Sequence, residues 1–207
     1  MVRKTKQEAA ATRELLLDAA EDMFLEHGVA RTSLEQIARH AGMTRGAVYW
    51  HFMNKGDLFN AMLERVRLPF QGLVEELDDP ELARKKPLEA IRLACINGFR
   101  RLEQPRYRRV HTILIHRCET FGDIDPIRMQ NEMADEACST LVDYFRCAAR
   151  YHQLREDLAP ERAADIMNAL LSGLFHHWLR NHVSFSIYQE GSRLVETQLA
   201  LMQPVNT

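Results

Sequence analysis

Residues 32–52 read TSLEQIARHAGMTRGAVYWHF, and two short helical patterns lie within this stretch on either side of Gly42. Four apolar residues before the glycine repeat at helical spacing for barely two turns: Leu34, Ile37, Ala38 and Ala41. Thr44 can cap a second short helix that runs through about His51. Neither helix can bury a core alone, so both must pack on a neighbour. Two short helices joined by a tight glycine-containing turn are typical of a DNA-binding helix-turn-helix, whose second helix enters the major groove.

The helix on which this pair packs precedes it in the chain. Its apolar residues follow i, i+3, i+4, i+7, i+8 spacing, which predicts one buried face: Leu16, Ala19, Ala20, Met23 and Phe24. We expect this helix over about residues 10–27, ended by Gly28 at the left-handed position that follows a helix. Thr32 with Glu35, and Ser33 with Gln36, are both spaced as capping boxes for the next helix.

Glycines and caps punctuate the first third of the chain, and prolines punctuate the rest. Asn54 followed by Asp57 predicts a fourth helix that runs to about residue 77. Longer helical patterns between the prolines then cover residues 87–103, 105–119, 126–152, 160–182 and 187–202. No stretch alternates apolar and polar residues for long enough to predict a strand. The predicted fold class is therefore all-α, with about nine helices.

The whole-chain composition is that of a folded globular protein. The 207 residues include 27 Lys and Arg against 29 Asp and Glu, a net charge of −2, and 46% are hydrophobic. No apolar run exceeds four residues and the basic start leads into Gln-Glu-Ala, so we expect neither a membrane span nor a secretory signal. The four cysteines show no paired spacing, which predicts reduced, buried thiols of a cytoplasmic protein: Cys95, Cys118, Cys138 and Cys147.

The small net charge hides an uneven distribution along the chain. Residues 1–13 contain four basic residues and one acid (net +3), residues 14–27 contain five acids and no Lys or Arg (net −5), and residues 28–55 contain four basic residues and one acid (net +3). Positive charge is thus concentrated on a basic arm, residues 1–9, and on the helix-turn-helix. This distribution favours phosphate contacts by both segments.

The outer face of the second short helix has side chains that suit a DNA duplex. Arg45 can form a bidentate pair with guanine, Gly46 allows close backbone approach, and Tyr49 can reach phosphate oxygens. The predicted DNA-binding residues are Arg3, Lys4, Lys6, Thr32, Ser33, Thr44, Arg45, Gly46, Tyr49, Trp50, His51 and Lys55. The alternative is a plain three-helix subdomain in which the Tyr-Trp-His cluster packs internally, and Trp50 in particular is expected to be partly buried.

The second half of the chain has apolar helix faces interrupted by a few polar groups, as a small-molecule cavity requires. His111 and Asn168 are the polar intrusions. The predicted ligand-binding residues are Leu93, Ile96, His111, Leu114, Ile115, Cys118, Met133, Ala137, Leu141, Met167, Asn168, Leu171 and Phe175. For each of them an ordinary helical core is the alternative.

Residues 160–182 are apolar around almost the whole helix, so every side of this helix must be covered. One domain can cover one face and a second copy of the chain the other. The predicted dimer residues are Leu170, Leu174, His177, Trp178, Leu194, Gln198 and Leu201.

The first third of the chain resembles the N-terminal domain of TetR-family transcriptional repressors. The matching positions are Thr12, Arg13, Leu17, Ala19, Ala20, Phe24, Gly28, Thr32, Ile37, Ala38, Ala41, Gly42, residues 44–52, Asn54 and Lys55. The basic opening and the Tyr-Trp-His-Phe sequence are most similar to the AcrR-type multidrug-efflux branch. The resemblance implies a homodimeric repressor that binds operator DNA, with an enclosed cavity for a hydrophobic inducer and a four-helix interface formed by the last two helices.

These expectations give three segments: residues 1–53 as the DNA-binding domain, 54–77 as a connecting helix, and 78–207 as the ligand-binding and dimerisation domain. We expect no enzyme activity and no cofactor, because nucleophile-elbow, P-loop and dinucleotide motifs are missing from the sequence. Two alternatives remain open, a regulator that responds to a metabolite or signal, and one that responds to a metal. The arginines between 100 and 109 are expected to form a salt-bridged surface.

Overall fold

The computed structural model describes residues 6–204, and the predicted arm residues Arg3 and Lys4 lie outside this range. Within it the chain forms eleven α-helices: α1 (Lys6–His27), α2 (Leu34–His40), α3 (Arg45–His51), α4 (Lys55–Glu64), α5 (Phe70–Glu75), α6 (Pro80–Lys85), α7 (Pro87–Leu102), α8 (Pro105–Thr112), α9 (Pro126–Arg150), α10 (Pro160–Arg180) and α11 (Ile187–Met202). A π-helical turn, Ile113–Arg117, follows α8. Nine of these helices have seven residues or more, which confirms the all-α prediction.

Local hydrogen bonds explain where the first helices begin and end. Gly28 follows α1 with φ +82°, as the sequence predicted. The hydroxyl of Ser33 accepts from the backbone N–H of Gln36 at 3.2 Å, and the Gln36 side-chain oxygen accepts from the backbone N–H of Ser33 at 2.7 Å. Of the two candidate capping boxes, this one forms. Thr44 caps α3 by accepting from the backbone N–H of Ala47 at 3.3 Å.

The prediction of one continuous helix over residues 54–77 is wrong. Asn54 caps α4 as expected, but α4 ends at Glu64 and α5 begins only at Phe70. The cause is Pro69, which has no N–H to donate and disfavours helical backbone at the preceding residue. Its own ψ of 133° places it outside both helices.

The described residues divide into two compact units, residues 6–67 with 106–127, and residues 68–105 with 128–204. In the first unit α2 and α4 pack on α1, and α3 packs on α2. The Phe24 and Phe59 rings meet edge to face in its core, with centroids 6.1 Å apart. Val48 and Phe52 are both buried, so the inward face of α3 is the one that the sequence predicted.

Residues 106–127, which the sequence analysis placed in the C-terminal domain, belong to the unit that contains α1. Arg106 donates to Asp18 at 2.9 Å, and Arg109 pairs with Asp22. The acid-rich face of α1 therefore attracts the basic start of α8. The expected salt-bridged arginine surface is confirmed at these two positions, and in the second unit Arg101 pairs with Glu76.

A third arginine neutralises the buried part of the same α1 face. Arg65, whose side chain is 10% exposed, donates to Asp18 at 2.5 Å and to Glu21 at 2.9 Å. Glu21 is only 3% exposed. Burial raises the pKa of its carboxyl, while Arg65 and Arg106 act in the opposite direction. Removal of Arg65 would thus leave a buried carboxylate with less compensation.

The second unit is built from α5 to α7 and α9 to α11, with α7 packed closely against α11. A Cβ at Gly191 of α11 would lie 2.8 Å from the Phe99 ring, so only glycine permits this approach. Arg92 of α7 bridges Glu89 at 2.7 Å and Glu196 of α11 at 3.1 Å. Within residues 6–204, no helix combines the length and apolarity that a membrane span requires.

Candidate nucleic-acid interface

The outer face of α3 presents a row of exposed side chains. Thr44, Arg45, Gly46 and Tyr49 are all exposed, as the sequence predicted. Trp50 is 70% exposed, so the expectation that it is partly buried is wrong. Its ring lies edge to face on the neighbouring His51 ring, 4.5 Å between centroids, rather than in the core. His51 itself is half-buried.

Three side chains of this surface contact one another across α2 and α3. Tyr49 donates its hydroxyl to Glu35 Oε1 at 3.1 Å, and Arg45 Nε lies 3.2 Å from the same oxygen. The Arg45 guanidinium also stands over the Tyr49 ring, 5.5 Å from its centroid. A backbone hydrogen bond, followed by the Tyr49 hydroxyl, lowers the pKa of Glu35, so this exposed carboxyl is ionised at neutral pH.

Sequence reasoning did not include Glu35 in the interface. Its position three residues after Thr32 indicated a capping box instead. The one signal that could have identified it is charge, since Glu35 is the single acid among residues 28–55.

Lys55 has a different position from the one predicted. Its ammonium donates to the carbonyl oxygens of Val29 at 2.8 Å, Ala30 at 3.2 Å and Thr32 at 3.1 Å. It also lies 4.6 Å from the centroid of the Phe121 ring. Its donors are therefore used by the turn between α1 and α2, whose carbonyls no helix satisfies, instead of being presented to a phosphate. Burial lowers the pKa of this lysine.

The two residues that precede α2 also have structural partners. Thr32 is 2% exposed and donates its hydroxyl to the Gly28 carbonyl at 2.8 Å, so its side chain does not reach the surface. Ser33 is half-buried and forms the capping box of α2. The predicted contact by Thr32 is contradicted by this burial, whereas Lys6 remains exposed near the start of α1.

The predicted ligand-binding residues do not all lie in one unit. Four belong to the first unit: His111, Leu114, Ile115 and Cys118. Nine belong to the second: Leu93, Ile96, Met133, Ala137, Leu141, Met167, Asn168, Leu171 and Phe175. Leu141 and Met167 are fully buried, and Met133 is 42% exposed. A single cavity lined by the whole set thus remains a prediction.

His111 occupies a buried position in α8. It is 6% exposed, and its Nδ1 lies 2.7 Å from the Tyr107 carbonyl oxygen one turn earlier in the helix. Burial lowers the pKa of the imidazole, which favours the neutral ring at physiological pH. A neutral histidine with one ring nitrogen beside a backbone carbonyl is consistent with an ordinary core position as well as with the wall of a ligand cavity.

Two of the surface pockets in the described part of the chain can be compared with the predicted inducer cavity. One of about 250 Å³ lies along α7 and α11 beside Arg92 and Glu196, and it contains none of the predicted ligand residues. The other, of about 280 Å³, includes Ile115 and Cys118 and is lined mainly by polar groups of the first unit. Both pockets include several charged or polar side chains, whereas the predicted inducer cavity has only a few polar groups. Within residues 6–204, no cluster of three or more His, Cys, Asp and Glu side chains is arranged to hold a metal ion.

The predicted dimer residues divide into exposed and buried groups. Leu201 is 65% exposed, His177 is exposed, and three more are half-buried: Leu170, Leu194 and Gln198. Trp178 and Leu174, at 2% and 8% exposed, are buried within their own chain, so the prediction that they face a partner is contradicted. The sequence did not identify two further exposed positions on α10, Ile166 and Gly173.

Comparisons with known proteins place this geometry among bacterial regulators. The family model described as bacterial regulatory proteins, tetR family, matches residues 16–62. The model described as MAATS-type transcriptional repressor, C-terminal region, matches residues 86–204. Together the two models cover the helix-turn-helix and most of the remaining chain.

Individual relatives match along nearly their full length. The transcriptional repressor BepR of Brucella suis is 34% identical, with 99% of each chain covered. The crystal structure of NalD, the secondary repressor of the MexAB-OprM multidrug efflux pump in Pseudomonas aeruginosa, is 36% identical, covers 97% of this chain and 100% of its own, and has a TM-score of 0.80. The triclosan complex of SmeT, the repressor of a Stenotrophomonas maltophilia efflux pump, is 35% identical, covers 95% and 93%, and also has a TM-score of 0.80.

Proposed function

Because the chain belongs to the TetR family of bacterial transcriptional regulators, we propose that it represses a multidrug efflux pump as a homodimer and leaves its operator when a hydrophobic small molecule binds. The observation that carries this proposal is the exposed face of α3, where Arg45, Tyr49 and Trp50 project from a helix whose opposite side is buried. We place the protein in the bacterial cytoplasm, with its DNA.

The first step of the proposed function is recognition of DNA by α3. Arg45 can pair with guanine in the major groove, while Thr44, Tyr49 and Trp50 can contact the sugar-phosphate backbone on either side. Gly46 leaves room for the backbone of α3 to approach the groove. Lys6 would add a phosphate contact from the start of α1, and His51 would contribute through its exposed edge. We assign Lys55 to holding the turn between α1 and α2 in place.

Two copies of α3 are needed to read a palindrome. The exposed side of α10 and the exposed residues of α11 provide a surface for a second copy, since Ile166, Leu170, Gly173 and His177 share one side of α10 at helical spacing. Dimerisation by these helices would hold the two reading helices about one turn of DNA apart, roughly 34–36 Å, or a multiple of that distance.

For a ligand to release the protein from DNA, it need only bind more tightly to a conformer in which the distance between the two α3 helices does not match the operator. A hydrophobic or aromatic inducer bound in the second half of the chain would bias the dimer toward such a conformer, and a differential affinity of about 3 kcal/mol would lower operator affinity about 150-fold. The SmeT complex with triclosan supports a small aromatic molecule as the class of inducer. The proposed pump target has its support in NalD and SmeT, which are named as efflux-pump repressors.

The proposed target is tested in the protein's own host. Chromatin immunoprecipitation of the wild-type chain should give a peak upstream of a transporter operon, and deletion of its gene should raise the transcript of that operon. Complementation with wild type should restore repression, and complementation with Arg45→Ala should not. A peak confined to genes of unrelated metabolism would contradict the efflux assignment and would favour a metabolite-responsive regulator.

A further inference from the structure

The contact between Glu35, Arg45 and Tyr49 has a specific geometry. A single oxygen, Glu35 Oε1, accepts from the Tyr49 hydroxyl at 3.1 Å and lies 3.2 Å from Arg45 Nε. The flat guanidinium lies over the Tyr49 ring at 5.5 Å. The arginine side chain is 73% exposed, so this arrangement restrains it without burying it.

This arrangement leaves the end of the guanidinium for DNA. Arginine has one Nε donor and two Nη groups, and the closest contact to Glu35 is made through Nε. The two Nη groups can then form parallel hydrogen bonds to guanine O6 and N7, the commonest specific contact in the major groove. An arginine whose Nε and flat face are already held has fewer orientations to lose when it binds.

The charge of Glu35 acts in a second way. It is the only acid in the basic segment 28–55. Its carboxylate contacts Arg45 and Tyr49 on the exposed face of α3, which is the face proposed to approach DNA. A carboxylate repels phosphates at close range, so it weakens binding that rests on phosphates alone. Contacts between Arg45 and a base edge are less affected, because a base carries no net charge.

We propose that Glu35 is a positioning residue that presents Arg45 to a guanine edge and opposes its use as a phosphate contact, so that it raises discrimination between operator and other DNA. This inference rests on the proposed function. A purely structural role, in which Glu35 only supports α2, would alter stability and all DNA binding together.

The first test compares wild type with Glu35→Gln, which keeps the shape and the acceptor oxygen but removes the charge. The probes are a duplex selected by the wild-type protein from a random pool and a shuffled duplex of identical composition. We expect Glu35→Gln to bind the shuffled duplex about 3- to 10-fold more tightly and the selected duplex no more tightly than wild type does. Glu26→Gln removes an equal charge from an exposed site on α1, and it should leave the ratio of the two affinities unchanged.

The second test asks whether the guanine contact itself changes. Replacement of each guanine in the selected duplex by 7-deazaguanine removes the N7 acceptor, and we expect at least one position per half-site where wild type loses about 10-fold in affinity. That loss in affinity should be about threefold or more smaller in Glu35→Gln. It should also be smaller in Tyr49→Phe, which removes only the hydroxyl. Support of α2 alone would not move a base-specific penalty.

The outcomes distinguish failure of the role proposed for Glu35 from failure of the proposed function. If wild type prefers the selected duplex but Glu35→Gln and Tyr49→Phe keep both its affinity ratio and its 7-deazaguanine penalty, the role of Glu35 is refuted and the proposed function stands. Equal losses of affinity for both duplexes in Glu35→Gln would identify a structural role of Glu35 and would also refute the proposed positioning role. If wild type shows no preference at all, the proposed function fails, and this inference with it.

Discussion

Trp50 and Lys55 lie five residues apart and have opposite environments. The indole, a large apolar group, is 70% exposed, while the lysine ammonium is bound to the carbonyls of Val29, Ala30 and Thr32. Helical spacing predicted correctly which side of α3 is buried, because Val48 and Phe52 are four residues apart. It could not predict the Lys55 contacts, since carbonyl groups left free by a turn produce no side-chain pattern in the sequence.

Because it is exposed, Trp50 should matter for binding and not for folding. We expect Trp50→Ala to change the free energy of unfolding by less than about 0.5 kcal/mol. Its affinity for the selected duplex should fall about 10-fold or more, as on truncation of an aromatic residue at the centre of an interface. Urea titration and fluorescence anisotropy measure the two quantities. Tyr151→Ala removes another exposed aromatic ring, 47% exposed in the second unit, and should alter neither. A large loss of stability in Trp50→Ala would contradict a role in DNA contact.

His111 should make stability depend on pH. Its pKa is lowered by burial in the folded protein, so the unfolded chain binds this proton more readily, and stability is lost as pH falls below the usual value of 6.5. Between pH 7.5 and 5.5 we expect wild type to lose about 1 kcal/mol more than His111→Gln, as measured by urea unfolding at both pH values. Equal pH dependence in the two proteins would show that the imidazole does not remain neutral on folding.

At the scale of helices, the sequence predicted where helices begin and end better than it predicted whether a long helix is continuous. The sequence predicted α3 at its exact bounds and α11 likewise, and each begins at a side-chain cap, Thr44 and Ser186. The pattern joined α4 to α5 because apolar spacing continues across Pro69, although a proline disfavours helical backbone at the residue before it. The π-helical turn Ile113–Arg117 was also missed, because its apolar spacing barely differs from that of α8.

Substitutions at Ser33, in the capping box of α2, can distinguish a role in stability from a role in DNA binding. Ser33→Ala should lower the free energy of unfolding by about 1 kcal/mol, because it leaves the Gln36 N–H without its acceptor. Ser33→Asp supplies a carboxylate oxygen as cap and should restore stability. If Ser33 also lies near a phosphate, the aspartate should weaken DNA binding about threefold or more. Full stability in Ser33→Ala would contradict the capping role.

At the scale of the whole molecule, the structure explains a charge distribution that the sequence alone left unexplained. The acidic stretch 14–27 had no predicted partner, and it proves to bind arginines from two distant parts of the chain, Arg65 and Arg106. Residues 106–127 join the first unit for this reason. Pairing between residues so far apart in sequence cannot be read from local patterns. The dimer is likewise a prediction, because it depends on a surface that only a second copy completes. The inducer cavity is also a prediction, because its proposed lining residues belong to two different units of the chain.

The proposed dimer should be sensitive to charge at Leu201, which is 65% exposed on α11. Leu201→Glu places a carboxylate on each side of the interface, and we expect dimer affinity to fall about 10-fold or more. Sedimentation equilibrium measures this directly, and operator affinity should fall in parallel since one α3 reads only one half-site. Val183→Glu, at a position 89% exposed between α10 and α11, is the matched control and should leave the dimer intact. An unchanged dimer in Leu201→Glu would contradict this interface.

The central claim is that one protein joins operator binding to release by a hydrophobic ligand, and a single titration tests it. The wild-type chain is titrated onto a labelled duplex from upstream of its own gene and onto a shuffled duplex, with and without a saturating hydrophobic aromatic compound that calorimetry has first shown to bind. We predict tight binding to the upstream duplex only, and a loss of about 10-fold or more in affinity when the compound is bound. Equal affinity for both duplexes, or full retention of the upstream duplex with the compound bound, would contradict the account.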